Sequence, residues 1–369
     1  MSIAVPPSMI QALGLANQAL FLSSPAPRVG CVLTDVAGDV LGCGFTQRVG
    51  EPHAEVMAWR EAVKNGRCLQ GSTAYITLEP CSHDGGTDPR CDVLIQAGVA
   101  QVVASIAHPN PRLAGSGFSR LRAAGIDVVI GPGAKESREL NIGFFSRMIR
   151  GTPWVRLKTA ASLDGTTALQ NGVSQWITAP MARADGHVWR ARACAILTGI
   201  GTVLDDDPRL DIREVPTPRQ PKVVIIDSQL QLPLNARLLQ PDRECFVYSA
   251  TIDTVKVAAL EARGVTVVCM PNAVGKVDLA SMLRDLGERG INELHVEAGH
   301  KLNGSLIYGG LVDELLVYLA PQLLGSGLGM ANLGPLTQLK DGVALEFKSV
   351  DRIGPDLRLI ARVVGRENF

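Results

Sequence analysis

Pro52-His53-Ala54-Glu55-Val56, then Ser72-Thr73-Ala74-Tyr75-Ile76-Thr77-Leu78-Glu79-Pro80-Cys81, then Cys91 after a nine-residue spacer, decide how this chain is read. One imidazole and two thiolates are three good zinc ligands, and a catalytic zinc keeps its fourth position for water. Glu55, two residues from His53, can then move protons without binding the metal. Residues 72–78 read as a strand that delivers Pro80-Cys81 from its end. Residues 53–65 read as a helix that starts at the histidine, and residues 91–97 start another. Both ligand clusters therefore fall where strands hand over to helices, whose N-termini favour thiolate and bound hydroxide. Taken singly, each residue has a blander role, since a reduced cysteine is a small core hydrophobe. A structural zinc would want a fourth protein ligand. His83 could supply it, but that role leaves Glu55 without a task.

His-x-Glu followed by Pro-Cys and a second Cys is the pattern of zinc-dependent base deaminases, whose short form has two residues between the cysteines. The longer spacer here matches the chemistry rather than the short form.

On either side of this stretch the first half alternates strands and helices. Residues 8–22 read as an amphipathic helix, with Met9, Leu13, Ala16 and Leu20 at helical spacing. Residues 29–34 and 40–44 read as a hairpin around Gly38-Asp39. Strands are expected at 102–106 and 127–130, and helices at 117–124 and 136–150. Gly151-Thr152-Pro153 marks a domain boundary. The second half restarts with strands at 154–159, 195–197, 222–226, 245–248, 265–269, 293–297 and 314–319. Helical patterns lie between most of them, which predicts α/β with a largely parallel sheet. Residues 213–221 are proline-rich and read as a surface loop. Val296-Glu297-Ala298-Gly299 ends one strand, and His300-Lys301-Leu302-Asn303-Gly304-Ser305 opens a helix that can hold a phosphate on its backbone N–H groups. Thr198-Gly199-Ile200-Gly201-Thr202 ends another strand and can do likewise. Neither is a full dinucleotide fingerprint. Gly299 and Gly304 are expected to leave room for backbone to approach phosphate.

The chain has 369 residues, enough for two domains with separate cores. Its 36 basic and 36 acidic residues balance, and only 4% are aromatic. That argues against a nucleic-acid partner, which calls for a basic excess and stacking platforms. Eight cysteines show no disulfide framework. Cys43, Cys194, Cys245 and Cys269 lie in apolar stretches and read as reduced core residues, which fits a cytoplasmic location. The first 27 residues lack charge, but a secretory signal needs a basic start. No stretch approaches the apolar run of a membrane span.

These motifs, in this order, resemble the bifunctional riboflavin-biosynthesis deaminase-reductases of bacteria over nearly the whole chain. The resemblance rests on Pro25-x-Pro27-x-Val29-Gly30-Cys31, Gly50-Glu51-Pro52-His53-Ala54-Glu55-Val56, Thr77-Leu78-Glu79-Pro80-Cys81-Ser82-His83 and Asn110-Pro111-x-x-Ala114-Gly115-x-Gly117. It continues through Leu157-Lys158-x-x-x-Ser162-Leu163-Asp164-Gly165, Ser174-Gln175-Trp176-Ile177-Thr178, Leu204-x-Asp206-Asp207-Pro208 and Ala320-Pro321-x-Leu323-Leu324-Gly325.

The resemblance implies a cytidine-deaminase-like three-layer domain over residues 1–147 and a dihydrofolate-reductase-like domain over 152–369. The first would remove the 2-amino group of a diamino-ribosylamino-pyrimidinone 5′-phosphate, and the second would reduce the ribosyl group to ribityl with NADPH. It implies zinc on His53, Cys81 and Cys91, with Glu55 as proton shuttle. It implies NADPH along Ala160, Trp176, Thr202, Asp206, Ser228 and Gly299, His300, Lys301, Leu302, Asn303, Gly304 and Ser305. Ser174, Arg190, Leu210, Arg213 and Glu297 would contact substrate, and Lys158 would lie at the reductase centre.

The chain departs from the family pattern at Ala26, Thr46, Gly86 and His108, and its cysteine spacer is one residue longer. Arg90, inside that spacer, is a candidate to replace the basic residue lost at Gly86. A reductase with a weakened or structural deaminase domain is the alternative, and a nucleic-acid base deaminase is the third reading. The oligomeric state, a homo-oligomer included, is left open by the sequence.

Overall fold

The computed structural model describes residues 4–81 and 90–369, so His83 and Gly86 lie outside the described residues. The chain divides into two compact units, Met1–Arg150 and Gly151–Phe369.

In the first unit, strands β1 (Gly30–Thr34), β2 (Val40–Phe45), β3 (Thr73–Ile76), β4 (Gln101–Ala104) and β5 (Asp127–Ile130) form one sheet in the order β2-β1-β3-β4-β5. β2, β1 and β3 are antiparallel neighbours, whereas β3, β4 and β5 run parallel. The helices are α1 (Pro7–Gln18), α2 (Ala54–Lys64), α3 (Arg90–Gln96), α4 (Ser116–Ala123), α5 (Ala134–Leu140) and α6 (Ile142–Arg150). Small residues let α2 press on the hairpin. A Cβ on Gly44 would lie 2.2 Å from Ala54 O, and one on Gly42 would lie 2.3 Å from Ala58 O. That close approach seats His53 and Glu55 against the sheet. The single helix expected over 136–150 is two. Asn141 breaks it, because its buried amide bonds the backbone N–H and carbonyl of Arg28 (2.8 and 2.9 Å).

The second unit carries a nine-stranded sheet. Its strands are β6 (Trp154–Ser162), β8 (Ala195–Gly199), β9 (Lys222–Ile226), β10 (Cys245–Ser249), β11 (Val265–Cys269), β12 (Glu293–Val296), β13 (Glu314–Ala320), β15 (Leu345–Ile353) and β16 (Asp356–Val363). Strands β7 (Thr166–Leu169) and β14 (Gly327–Gly329) pair separately. The order is β11-β10-β9-β8-β12-β6-β13-β16-β15. The first seven run parallel, and β16 and β15 add antiparallel to β13. Helices α7 (Pro180–Arg192), α8 (Ile200–Asp206), α9 (Thr254–Glu261), α10 (Leu279–Glu288) and α11 (His300–Tyr308) complete the unit.

One face of the parallel sheet is an apolar core built on Val155, Leu157, Leu197, Leu294 and Val296, with Leu283, Leu286 and Leu306 from α10 and α11. The alternate residues point the other way. There Arg156, 2% exposed, bridges Glu293 (2.9 Å) and Glu314 (2.5 Å), and stacks at 4.6 Å on Trp189 of α7. Such buried charges survive because each is paired.

β7, β14, β15 and β16 are absent from the sequence expectation. β15 alternates charged and apolar residues on an exposed edge, so it lacks the continuous apolar run of the buried parallel strands. All eight cysteines are free, and Cys194 and Cys245 are buried as expected. Cys269 is exposed and Cys43 half-buried, which corrects the expectation that both are core residues. Cys269 ends the edge strand β11, which has a neighbour on one side only. Among the described residues no helix is long and apolar enough to cross a membrane.

Candidate active sites

His53 is the N-cap of α2, and Glu55 lies in that helix's first turn, 2% exposed. Cys91 is the second residue of α3 and is buried. Cys81 follows β3 through Glu79-Pro80, and Glu79 fixes that approach. Its buried carboxylate accepts backbone N–H bonds from His108 (2.9 Å), Gly115 (3.0 Å) and Gly117 (2.9 Å). One side chain thus ties the end of β3 to the start of α4.

Burial and neighbouring charge act together on His53, Glu55 and Cys91. Desolvation, with Arg90 nearby, pulls His53 down to about 4. Desolvation, with Glu55 and Cys81 adding to it, pushes the Cys91 thiol up to about 12. Burial raises Glu55 against the opposing pull of Arg90. Glu55 also raises the buried Cys31 thiol, behind burial itself, which places Cys31 near Glu55.

The expected ligand set is not drawn together here. Among the described residues no group of three or more His, Cys, Asp or Glu side chains is placed to hold a metal ion. His53 Nε2 instead meets Arg90 Nη2 at 3.0 Å. Cys91 Sγ faces the carbonyls of Pro80 (3.5 Å), Cys81 (3.6 Å) and Gly117 (3.7 Å). The donors still fit zinc chemically. An imidazole held uncharged is already in its ligating form, and a bound dication would favour the thiolate that burial alone disfavours at Cys91.

Two family departures have structural employment. Thr46 Oγ1 accepts from the Val29 N–H at 3.0 Å. His108 Nδ1 accepts from the Asn110 N–H at 3.1 Å, and its ring meets Phe144 edge-on at 5.6 Å.

In the second unit the candidates gather at the carboxyl ends of parallel strands, where such sheets open a crevice. Lys158 and Ala160 are the half-buried positions of β6. Arg190 of α7 forks onto Glu297 just beyond β12, Nε to Oε1 at 2.5 Å and Nη2 to Oε2 at 2.9 Å. Burial works against Glu297's charge, but Arg190 and its hydrogen bonds hold the carboxyl well below the usual range. Burial pulls Lys158 down, with Glu297 opposing and Arg190 assisting. His295, fully buried, lies 3.4 Å from Glu297 Oε1. Arg190 Nη1 also donates to Asp211 O at 3.0 Å. Lys158, Arg190, Glu297 and the loop bearing Leu210 and Arg213 thus form one constellation. Asp211, His295 and Gln220 support it and were not singled out in the sequence, because each works through backbone or a second side chain.

The cofactor candidates divide. Gly299 faces open space, and a Cβ there would meet nothing closer than Thr202 Oγ1 at 3.8 Å. Trp176 is 68% exposed and stacks with Arg183 at 4.6 Å. Its neighbour Gln175 donates to Asp206 at 3.2 Å. Ser174 is half-buried, Lys301 and Ser305 are exposed, and the Ser228 hydroxyl accepts from the Val277 N–H at 3.3 Å. Gly304 lacks the room expected of it, and the Asn303 side chain is engaged within the chain. A Cβ on Gly304 would lie 2.0 Å from Asn332 O, and Asn303 Nδ2 donates to Met330 O at 2.9 Å. The room at Gly304 is filled by this chain's own backbone, not kept for a phosphate.

Comparisons with known proteins fall on both units. The family profile "Cytidine and deoxycytidylate deaminase zinc-binding region" matches residues 7–106, and "RibD C-terminal domain" matches residues 153–359. Riboflavin biosynthesis protein RibD of Escherichia coli (strain K12) is 45% identical, covering 95% of this chain and 97% of its own length. RibD of Aquifex aeolicus is 37% identical, covering 94% and 95%. The solved structure of Acinetobacter baumannii RibD superposes with a TM-score of 0.88 at 37% identity, covering 97% and 98%. A Thermotoga maritima diaminohydroxyphosphoribosylaminopyrimidine deaminase/5-amino-6-(5-phosphoribosylamino)uracil reductase superposes with a TM-score of 0.86 at 30% identity, covering 96% and 97%. The expected fold class therefore holds for both units, and bifunctionality rather than a lone reductase is what the relatives support. The chain belongs to the RibD family of riboflavin-biosynthesis enzymes, with a zinc-dependent deaminase and an NADPH-dependent reductase in one polypeptide.

Proposed function

We propose that residues 1–147 hydrolytically deaminate 2,5-diamino-6-ribosylamino-4(3H)-pyrimidinone 5′-phosphate, and that residues 152–369 reduce the ribosyl group of the product with NADPH. The result is 5-amino-6-ribitylamino-uracil 5′-phosphate. The observation that carries the reading is a buried Glu55 of raised pKa in the first turn of α2, behind His53 at that helix's start, with Cys91 at the start of α3 and Cys81 close to it.

His53, Cys81 and Cys91 would hold the zinc, which supplies a hydroxide nucleophile near neutral pH. Glu55 accepts the water proton on its carboxylate and returns it to the ring nitrogen and the leaving amine. Its raised pKa suits that two-way traffic. Arg90, already beside His53 and Glu55, supplies positive charge to this site.

In the reductase, the ribosylamine opens before hydride reaches the sugar C1, and NADPH supplies that hydride when bound. Arg190 and Arg213 offer guanidinium donors to the substrate phosphate. Glu297 orients Arg190 and balances the charge of Lys158, which would donate to the opening sugar. Thr202 and Gly299 border the open space available to the cofactor. Partners on this reading are small phosphorylated pyrimidines, in the cytoplasm.

Glu55→Gln tests it. The amide keeps the shape and cannot act as a base, so ammonia release should fall about 10²–10⁴-fold or more. Zinc content and reduction of supplied deaminated intermediate should stay unchanged. Near-normal deamination by this variant would remove Glu55 from the mechanism.

A further inference from the structure

The segment Arg209-Leu210-Asp211-Ile212-Arg213 carries two of the proposed substrate contacts and holds an unfavourable backbone. Leu210 has φ +49°, in the left-handed region that a leucine side chain avoids, and it is buried. Such a residue persists only where its surroundings over-determine it. Much of the segment is tied by side chains. The buried Asp211 carboxylate accepts from Arg209 Nε (2.8 Å) and Arg213 Nη1 (2.7 Å). The Gln220 amide closes on both backbone groups of Ile212, at 2.8 and 3.0 Å. The Arg213 N–H reaches His187 Nδ1 at 3.4 Å.

The carbonyls of Arg209 and Leu210 lie on either side of the strained residue's own φ and ψ. One guanidinium takes both. Arg243 Nη1 donates to Leu210 O at 2.6 Å, and Nη2 donates to Arg209 O. Nη2 also reaches Leu238 O at 3.2 Å. Arg243 thereby fastens the substrate segment to the turn that precedes β10. A planar fork spans two adjacent carbonyls, whereas an ammonium is a point charge on a flexible stem.

We infer that Arg243 is a positioning residue for the reductase substrate: it locks Leu210 in its left-handed conformation and so aims Leu210 and Arg213 at the phosphorylated pyrimidine. The inference rests on the reading of Leu210 and Arg213 as substrate contacts. Asp211 and Gln220 hold the rest of the segment, so losing Arg243 loosens one residue rather than the fold.

Full-length Arg243→Ala, Arg243→Lys and Arg213→Ala chains, assayed with NADPH and the deaminated intermediate, test it. Both Arg243 variants should raise KM for the pyrimidine by about tenfold while kcat and KM for NADPH stay within about twofold. Guanidinium ion at millimolar concentration should lower KM for Arg243→Ala and leave Arg243→Lys and Arg213→Ala unaffected. A raised KM in Arg213→Ala beside a normal one in Arg243→Ala would overturn the positioning role. So would parallel losses of kcat, NADPH affinity and substrate affinity in Arg243→Ala, which would make Arg243 a general support of the fold. A normal KM in Arg213→Ala would sink the site reading itself, and this inference with it.

Discussion

His53, Glu55, Cys81 and Cys91 come from one short stretch of chain, whereas Lys158, Arg190, Leu210 and Glu297 come from four separate strands, helices and loops. The two groups also differ in charge. In the first unit, burial drives His53 down, Cys91 up and Glu55 up, so all three tend to neutrality. In the second, pairing outweighs burial at three groups: Arg190 is raised against desolvation, while Glu297 and Asp211 are lowered against it, and only Lys158 of the named residues still yields to burial. A site of neutral donors is completed by a cation from outside. A site of compensated charges is already organised and awaits an anionic substrate.

The largest effect that could break this comparison is loss of the cation. A Cys81→Ser, Cys91→Ser double variant should contain no zinc by elemental analysis and release no ammonia, while its reductase continues. Zinc retained in the double variant would mean that other residues hold it.

The compensated site should respond to pH instead. Glu297→Gln leaves Arg190 without its partner, and breaking a buried pair costs about 3–5 kcal/mol. The sign follows from the depressed pKa. Glu297 stabilises the fold above the unfolded carboxylate value of about 4.3, and that stability is lost as pH falls through the folded value. Urea unfolding of the second unit should therefore weaken toward acid in the parent, and the variant should lack part of that slope. An identical acid slope in both would show that Glu297 carries no buried charge.

A smaller effect separates two glycines of one turn. Gly304→Val collides with Asn332 O, so it should destabilise the second unit by about 1–3 kcal/mol, as overpacking does. Gly299→Val meets only open space and should fold normally but bind NADPH poorly. Fluorescence titration with NADPH and a melting curve on each variant decide this. Equal melting temperatures would refute the packing role of Gly304.

The same contrast explains what was legible beforehand. Deaminase-half motifs are contiguous, and their order along a strand and two helices could be read directly. The parallel strands were legible because burial on both faces demands unbroken apolar runs, as in Lys222–Ile226. β15 escaped because an exposed antiparallel edge alternates charge with apolar residues, and β16, paired between β13 and β15, because charged residues break its apolar run. Asn141 escaped because its helix-breaking partner, Arg28, is distant in sequence. Arg243, Gln220 and Asp211 escaped for a related reason. They bind backbone carbonyls, amides or other arginines, and no residue pattern announces that. Arg90 was visible as a lone basic residue, but its contact with His53 Nε2 was not.

The smallest expected effect concerns independence of the halves. Residues 1–147 and 152–369 each carry a separate sheet, and the apolar core on Val155, Leu157, Leu294 and Val296 draws on the second half alone. Arg150, Gly151 and Thr152 belong to the seam, and residue 151 matters, because a Cβ on Gly287 would lie 2.1 Å from Gly151 O. The C-terminal fragment lacks that packing partner and should lose a little stability. The two fragments, expressed apart, should release ammonia and oxidise NADPH at rates near those of the whole chain. A folded C-terminal fragment, by circular dichroism, that fails to oxidise NADPH would show that the reductase borrows residues from the first half. Reduction by the N-terminal fragment alone would overturn the division of labour between the halves.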